Sequence, residues 1–196
     1  MSAAVTVLSP TPPSIDREQV LRFMGQRTTA PREVLDVLDE CIDEAKNCFA
    51  YKVCYLELPI SVRDGEVDMT LATANSHALS RHLDGCRSAV IFGATVGLEI
   101  DRLVGKYSRT VPIKALCMQA IGAERIEALC DTFCEQLKKE GRVFRARYSP
   151  GYGDLDISFQ RDIFRILDCP RKIGLTLSDS LLMIPTKSVS AIVGVE

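Results

Sequence analysis

The sequence predicts an α+β fold in which a largely antiparallel sheet is flanked by helices. Segments with helical and strand patterns follow one another irregularly: two helices, a hairpin, a helical middle, and finally a helix with two strands. Parallel strands need a crossover connection, usually a helix, and the chain lacks that regular alternation, so a doubly wound fold is disfavoured. The 196 residues match one domain and suffice to bury a core without disulfides or metals.

The first 14 residues differ in composition from the rest of the chain. They contain three of the nine prolines and lack the basic start and apolar run of a signal peptide, so we expect a flexible lead-in over 1–14. A single domain is expected over 15–196, with 15–105 as its N-terminal part. No apolar stretch reaches the length of a membrane span. The net charge of −2 disfavours nucleic acid as a partner, because nucleic-acid-binding domains usually carry a basic surplus.

The eight cysteines are not arranged as metal ligands. They contain no CxxC pair, and the two histidines, His77 and His82, are five residues apart. This favours buried, reduced thiols that act as small apolar side chains, rather than a metal site or a disulfide framework. Without a signal peptide, such thiols indicate a cytoplasmic, reducing setting.

Local patterns predict the elements of the first half in order. Asp16 and Gln19 resemble a capping box that begins a short helix, and Gly25 stops that helix. The helical spacing of apolar residues predicts an amphipathic helix over 32–47, and alternation over 51–55 predicts a strand. The same signals predict a hairpin with strands over 56–62 and 66–71 and its turn at Asp64-Gly65. They also predict a short helix near 76–84, a strand over 88–92 and a helix over 98–104.

The second half begins with a long helix. Pro112 suits its first turn, and Gly141 is a C-terminal glycine stop. The remaining elements are predicted from apolar runs and turn residues: a strand over 143–148, a turn-rich loop over 149–154, a helix over 160–167 closed by Pro170, and two strands, 181–184 and 189–195, joined across Pro185-Thr186-Lys187.

Two loops combine residues that suit a binding site. In the segment from Arg145 to Asp154, two glycines and a proline shape a loop whose backbone groups can face a ligand, and Arg147 can pair with a carboxylate in bidentate fashion. An ordinary Pro-Gly turn with a surface arginine is the alternative. The segment from Phe92 to Gly97 leads from a strand into a helix. The start of such a helix can bind an anion. An ordinary tight connection between strand and helix is the alternative.

The first of these loops resembles a known family. Arg147-Tyr148-Ser149-Pro150-Gly151-Tyr152 matches the Arg-x-x-Pro-Gly-Tyr signature of the activation domain of cobalamin-dependent methionine synthase. Downstream, Gly174-Leu175-Thr176-Leu177-Ser178-Asp179-Ser180 precedes Pro185 and Ser188-Val189-Ser190-Ala191, in the order of the family. The agreement runs from about residue 110 to the end and is looser before that, where the chain looks closer to free-standing relatives. The resemblance implies a methionine synthase activation domain-like fold.

The family binds S-adenosylmethionine (AdoMet), and the resemblance implies the residues that do so here. Arg147 is expected to contact the AdoMet carboxylate, while the loop of Pro150, Gly151 and Tyr152 lines the pocket. An acidic residue on the preceding helix meets the amino group of AdoMet in the family.

Glu127 and Glu124 are the candidates for that acidic residue, and both remain open. An N-terminal aspartate also contributes in the family, and Asp16 is the candidate for it. Lys187, in the turn before Ser-Val-Ser, is expected to be a solvated lysine, with an anion contact as the alternative.

Two departures from the family pattern imply weak or altered AdoMet binding, and the first of them, at Val193, is the motive for a second hypothesis. Val193 stands where the family has a pocket tyrosine, and Gly153-Asp154 replaces a proline-rich stretch. A non-catalytic docking or scaffold subunit for a corrinoid protein, which has lost AdoMet binding, is therefore the alternative function. A third hypothesis, an unrelated enzyme with Cys86 or Cys169 as nucleophile, lacks a base near either thiol.

The resemblance also implies a chemistry and partners. In the family, cob(II)alamin takes one electron from flavodoxin or an equivalent donor, and the resulting cob(I)alamin accepts the methyl group of AdoMet. The cobalt-ligating Asp-x-His-x-x-Gly loop is not found around His77 or His82. The implied function is therefore a stand-alone, AdoMet-binding activation module that acts on cobalamin carried by a partner methionine synthase or another corrinoid protein. No catalytic residue or metal ligand is assigned to this chain.

Overall fold

Long apolar runs form the centre of a four-stranded antiparallel sheet. The computed structural model describes residues 4–26, 30–138 and 142–196. Its strands are β1 (Thr6–Leu8), β2 (Lys52–Pro59), β6 (Ser88–Thr95) and β9 (Ser188–Val195). They lie in the order β1-β2-β6-β9, and all neighbouring strands are antiparallel. The predicted α+β fold with an antiparallel sheet is confirmed.

Helices cover both faces of this sheet, because alternate residues of each strand point to opposite sides. Val90, Phe92 and Ala94 of β6 pack into one buried layer, with residues of four helices. Ile91, from the same strand, packs into a second layer on the other face. The helices of the first layer are α1 (Arg17–Phe23), α2 (Arg32–Ala45), α4 (Glu99–Ser108) and α5 (Pro112–Lys138). Those of the second are α3 (His77–His82), α6 (Gln160–Leu167) and α7 (Cys169–Ile173).

The helix α5 is the longest element and spans one face of the sheet. Its residue Phe133 is fully buried, with ring centroids 5.0 Å from Phe92 and 5.2 Å from Tyr55. The last described residue of α5 is Lys138, so the predicted stop at Gly141 lies outside the described residues. None of the described helices is both long and apolar enough to cross a membrane.

Short elements surround this core. A second antiparallel sheet contains β3 (Ser61–Arg63), β4 (Glu66–Asp68) and β5 (Thr73–Asn75), and a third contains β7 (Thr176–Leu177) and β8 (Met183–Ile184). A 3-10 helix, Ile157–Phe159, precedes α6. The predicted Asp64-Gly65 turn is confirmed between β3 and β4, and Gly65 has the positive φ, +77°, that such a turn needs. The predicted Asp16 cap is also confirmed, since its side chain accepts from the N–H groups of Glu18 and Gln19.

Non-local pairing corrects two predictions near the sheet edges. The lead-in over 1–14 is not flexible throughout, because Thr6–Leu8 pair with β2, with Val7 opposite Cys54. The strands predicted over 181–184 and 189–195 do not form a hairpin with each other. Instead β8 pairs with β7, whereas β9 pairs with β6 along its whole length. A local pattern predicts a strand but does not identify its partner.

Three predicted boundaries also change. The segment 143–148 forms only isolated bridges to β9, at Phe144 and Tyr148, rather than a strand. The strand predicted from 56 belongs to β2, which ends at Pro59. Pro170 does not close α6: Asp168 ends that helix with φ +51°, and Pro170 lies in the first turn of α7, where its missing N–H costs nothing.

Candidate functional site

The signature loop lies at the free edge of the main sheet. The backbone of the preceding segment follows β9: Arg145 N–H donates to Gly194 O (2.9 Å), and Tyr148 exchanges two hydrogen bonds with Ile192 (2.9 and 2.8 Å). After Tyr148 the chain turns away from the sheet. This departure leaves the first part of β9, including Ser190, without a neighbouring strand on that side.

Glycine is required at one position of this loop by close packing. Gly153 has φ +55°, and a Cβ there would lie 2.5 Å from Tyr148 Oη and 2.9 Å from Ala78 Cβ. Gly151 also has a positive φ, +92°, and its N–H donates to Leu155 O at 2.8 Å. The loop is therefore a compact turn against α3 rather than an open surface turn.

Asp154 anchors the loop to the start of α3. Its carboxylate accepts from the Ser76 hydroxyl and from the backbone N–H groups of His77 (2.9 Å) and Ala78 (3.0 Å). The Ser76 hydroxyl and these N–H groups lower the pKa of Asp154, because they bind its ionised form. Asp154 thus holds the turn in place.

A cavity of about 360 Å³ opens between this loop, α5, α6 and β9. Its wall includes Glu127 from α5, Arg147 and Tyr152 from the loop, Gln160 from α6 and Ser190 from β9. These residues are far apart in sequence, and the antiparallel sheet brings them together at one edge.

Arg147 is the central charge of this cavity. Its Nη2 lies 3.0 Å from Glu127 Oε2 and 2.9 Å from Asp131 Oδ1. Its Nη1 is buried and has no hydrogen-bond partner among the residues that the structure describes. The thiol of Cys130 lies nearby, and burial raises its pKa to about 12, so it stays protonated and does not compete for the guanidinium as an anion.

Three buried side-chain nitrogen or oxygen atoms in the described ranges lack partners, and all three belong to residues of this one cavity wall: Arg147 Nη1, Gln160 Oε1 and Ser190 Oγ. Buried polar groups are nearly always hydrogen-bonded, since an unsatisfied one costs about 1–3 kcal/mol. Their concentration at one cavity indicates a site built to receive a polar molecule.

The structure separates the two acidic candidates. Glu127 lies beside Arg147 at the cavity. Glu124 instead forms a buried ion pair with Arg125 and accepts from the backbone N–H of Asp16 at 3.3 Å. Asp16, Glu124 and Glu127 also line a neighbouring cavity of about 780 Å³, so Glu127 belongs to both cavities.

The other predicted loop residues surround the cavity unequally. Pro150 is buried in its wall, whereas Tyr152 lies at its rim with 67% of its surface exposed. Gly151 shapes the turn without lining the cavity. Sequence reasoning missed Gln160 and Ser190, although Ser190 lies within the quoted Ser-Val-Ser segment.

Val193 and Lys187 differ from expectation. Val193 is 1% exposed and packs in the layer under α5. It does not line the 360 Å³ cavity, but it lines a neighbouring cavity of about 550 Å³ together with Arg147. Lys187 is not a solvated turn residue: its side chain crosses Gly122, where a Cβ would lie 2.9 Å from Lys187 Cγ. Burial lowers the pKa of Lys187, although Asp101 opposes this shift.

Two further sequence hypotheses are tested by packing. Cys169 is fully buried, with its Sγ 3.7 Å from Cys54 Sγ, and the pKa of its thiol is raised by the contact with Cys54 and by burial, which disfavours a nucleophile. At the end of β6, Gly97 has φ +89° and packs against Ala50, with 3.0 Å from an ideal Cβ to Ala50 Cβ. This close packing agrees with the predicted tight connection.

Comparison with known proteins identifies the class. Residues 82–196 match the family model of the vitamin B12 dependent methionine synthase activation domain. Since this match covers more than half of the chain, the protein belongs to that family, as the signature loop predicts. A search of curated proteins finds no match.

A solved structure shares the fold over nearly the whole chain. It is the crystal structure of the MetH reactivation domain bound to AdoHcy, with a TM-score of 0.72 and 15% sequence identity. The alignment covers 97% of this chain and 78% of that one. At this identity the likeness establishes the fold, which includes the looser N-terminal part.

Proposed function

We propose that this protein is an AdoMet-binding activation module that supports reductive methylation of cob(II)alamin carried by a partner methionine synthase or another corrinoid protein. The observation that carries the proposal is the unpartnered, buried Nη1 of Arg147 at the cavity, beside Glu127. The AdoHcy in the MetH reactivation domain supports it, because AdoHcy is AdoMet without its methyl group.

The charges at the cavity suit the amino-acid end of AdoMet. A guanidinium binds a carboxylate through two parallel hydrogen bonds, and Nη1 of Arg147 is free for one of them. Glu127 offers a carboxylate to the ligand's ammonium group, while Asp131 keeps the guanidinium oriented through Nη2. Glu124 is excluded from this role in the proposal, because Arg125 already neutralises it.

The surroundings of the cavity suit a large partner. Two exposed apolar side chains line the cavity, Tyr152 (67%) and Ile157 (44%). Leu182 (67%) and Ile184 (48%) are also exposed and flank the lining residue Met183 in sequence, and exposed apolar side chains favour docking. In the proposal, AdoMet supplies the transferable methyl group, the partner's corrinoid accepts it, and a flavodoxin-like donor supplies the electron. The chain itself contributes proximity and orientation by holding the ligand. The proposed setting is the cytoplasm, as the sequence predicts.

Calorimetric titration with AdoMet and AdoHcy tests the proposal. We expect Arg147→Ala to weaken binding about 100-fold, since it removes charge-assisted hydrogen bonds to a carboxylate. Arg145→Ala is the matched control, because Arg145 lies two residues away and pairs with Glu196 outside the 360 Å³ cavity. Glu127→Gln should weaken binding about ten-fold, whereas folded Glu124→Gln should stay within about two-fold of wild type.

Two results would overturn this reasoning: no heat with either ligand at millimolar concentration, or equal binding by wild type and Arg147→Ala. Absent AdoMet binding together with capture of a cobalamin-loaded partner would favour the docking-subunit alternative. That alternative drew on Val193, which lies outside the 360 Å³ cavity but lines a neighbouring cavity of about 550 Å³ together with Arg147.

A further inference from the structure

One short helix, α3, contacts the chain on both sides of the Pro-Gly-Tyr turn. At the C-terminal end of α3, His82 Nε2 lies 2.8 Å from the backbone oxygen of Ala146, the residue before Arg147. At its N-terminal end, the first two backbone N–H groups of α3 donate to the carboxylate of Asp154, at 2.9 and 3.0 Å. The signature loop therefore lies between two hydrogen-bonded attachments to the same helix.

The His82 contact acts on the backbone of Arg147. A carbonyl oxygen only accepts hydrogen bonds, so His82 Nε2 carries the proton and donates to Ala146 O. That carbonyl and the N–H of Arg147 belong to one planar peptide group. The contact therefore fixes the peptide plane beside the Cα from which the Arg147 side chain extends to Glu127 and the cavity.

Tyr148 fills the space between α3 and the turn. Its ring centroid lies 5.2 Å from that of His82, and its hydroxyl donates to Tyr152 O at 3.2 Å. Gly153 fits between Tyr148 and Ala78 of α3 because it lacks a Cβ. The turn that carries Tyr152 is thus packed against α3 as well as hydrogen-bonded to it.

The helix α3 is itself fixed to the core. Leu79 within the helix and Leu83 just after it are fully buried and pack in the second layer. Ser76 caps the helix, since its hydroxyl accepts from the N–H of Leu79 at 2.9 Å, and its own N–H donates to Gly65 O at 2.8 Å. A fixed support can hold a loop in one conformation before a ligand binds, which lowers the entropic cost of binding.

We infer that α3 holds the signature loop in its binding conformation before the ligand arrives, with His82 as a positioning residue for Arg147 and Asp154 as a positioning residue for the turn that carries Tyr152. The inference rests on the proposed function. Neither His82 nor Asp154 lines the 360 Å³ cavity, so each acts through the backbone of the loop rather than by contact with the ligand.

Calorimetric titration with AdoHcy tests the His82 contact. His82→Leu should weaken binding about ten-fold, because the peptide plane before Arg147 is then free in the unbound protein and must be ordered on binding. His82→Gln keeps an N–H donor at a similar distance from the backbone and should stay within about three-fold of wild type. His77→Leu is the matched control and should bind like wild type, because the His77 ring contacts Asp64 instead of the loop.

The Asp154 contact is tested in the same titration. Asp154→Ala removes the acceptor for the N–H groups of α3 and should weaken binding about ten-fold. Asp154→Asn keeps one acceptor oxygen and should lose less.

A double-mutant cycle separates positioning from a general loss of stability. In an Arg147→Ala protein, His82→Leu should weaken AdoHcy binding no further, since the side chain that His82 positions is absent. The melting temperature without ligand should fall on His82→Leu in both backgrounds. A merely structural histidine would lower the melting temperature and leave the affinity unchanged, which would overturn the inference.

Hydrogen exchange followed by mass spectrometry measures the loop directly in the ligand-free protein. Backbone N–H groups over 146–152 should exchange faster in His82→Leu and in Asp154→Ala than in wild type, since the loop then opens more readily. His77→Leu should exchange there like wild type. Equal exchange in all four proteins would show that α3 does not hold the loop.

The outcomes separate this inference from the function on which it rests. If wild type binds AdoHcy, Arg147→Ala does not, and both His82→Leu and Asp154→Ala bind like wild type, the positioning inference is wrong and the proposed function stands. If wild type does not bind AdoHcy, both are overturned. Should His82→Leu fail to fold, His82→Asn carries the same decision, because its shorter side chain places the amide away from Ala146 O.

Discussion

Replacing the buried Arg125 would test whether its ion pair with Glu124 stabilises the folded protein. The side chains of Arg125 and Glu124 are 2% and 4% exposed. Arg125 Nη1 also donates to Pro13 O at 2.6 Å, and Nη2 donates to Ser14 O at 3.2 Å. The guanidinium thus joins α5 to the segment that leads into Asp16 and α1.

The expected loss of stability depends on which of the two charges stays buried without its partner. Arg125→Met leaves the Glu124 carboxylate buried with only the Asp16 N–H as a partner, and an uncompensated buried charge costs about 3–5 kcal/mol. Glu124→Leu should cost less, about 2–3 kcal/mol, because the carbonyls of Pro13 and Ser14 still accept from the guanidinium. The double variant has no buried charge, so its loss should fall below the sum by at least about 2 kcal/mol.

Urea denaturation of the four proteins at pH 7 measures this cycle. The reasoning would be refuted if either single variant lost less than about 1 kcal/mol of unfolding free energy, or if the double variant lost as much as the two single variants together. Either result would mean that the ion pair is not desolvated. The slope of free energy against urea should stay constant across the four proteins, which shows that the unfolded reference is unchanged.

Two more predictions concern the loop. Gly153→Ala should destabilise the protein by about 1–3 kcal/mol in urea denaturation, because of its φ of +55° and the 2.5 Å approach of a Cβ to Tyr148 Oη. Gly105→Ala, in α4 with nothing within 4 Å, should instead stabilise by about 0.5–1 kcal/mol, and an equal effect of both would contradict the packing argument. The lowered pKa of Asp154 means that its stabilising effect is complete above the ordinary carboxyl pKa of about 4 and is lost as the pH falls through the lowered value. The free energy of unfolding, measured from pH 6 to pH 2, should therefore fall less steeply in Asp154→Asn than in wild type. The same pH dependence in both proteins would show that the Asp154 carboxylate contributes nothing to stability.

Most of the predictions that the structure confirms depend on residues close together in sequence. The Asp16 cap, the Asp64-Gly65 turn and the helix α2 each follow from contacts or periodicity within a few residues. The signature loop around Arg147 is also a local motif, and it predicted the family.

The pairing of distant segments is different, because it depends on which free edge a segment meets. Nothing near Thr6–Leu8 indicates that β2 is its partner, and nothing near residue 184 separates β8 from β9. The two acidic candidates illustrate the same limit within one helix. Glu124 and Glu127 are three residues apart, and only the positions of Arg125 and Arg147 decide which one is neutralised in the core and which reaches the cavity.

The sequence by itself determined the class of fold, the family and the charged end of the candidate site, because these depend on periodicity and on one short motif. Only the tertiary structure brought Gln160 and Ser190 to the wall that holds Arg147. It did so because β9 pairs with β6 while the loop leaves its free edge after Tyr148. Unsatisfied polar atoms are a property of burial, and burial exists only once the chain has folded.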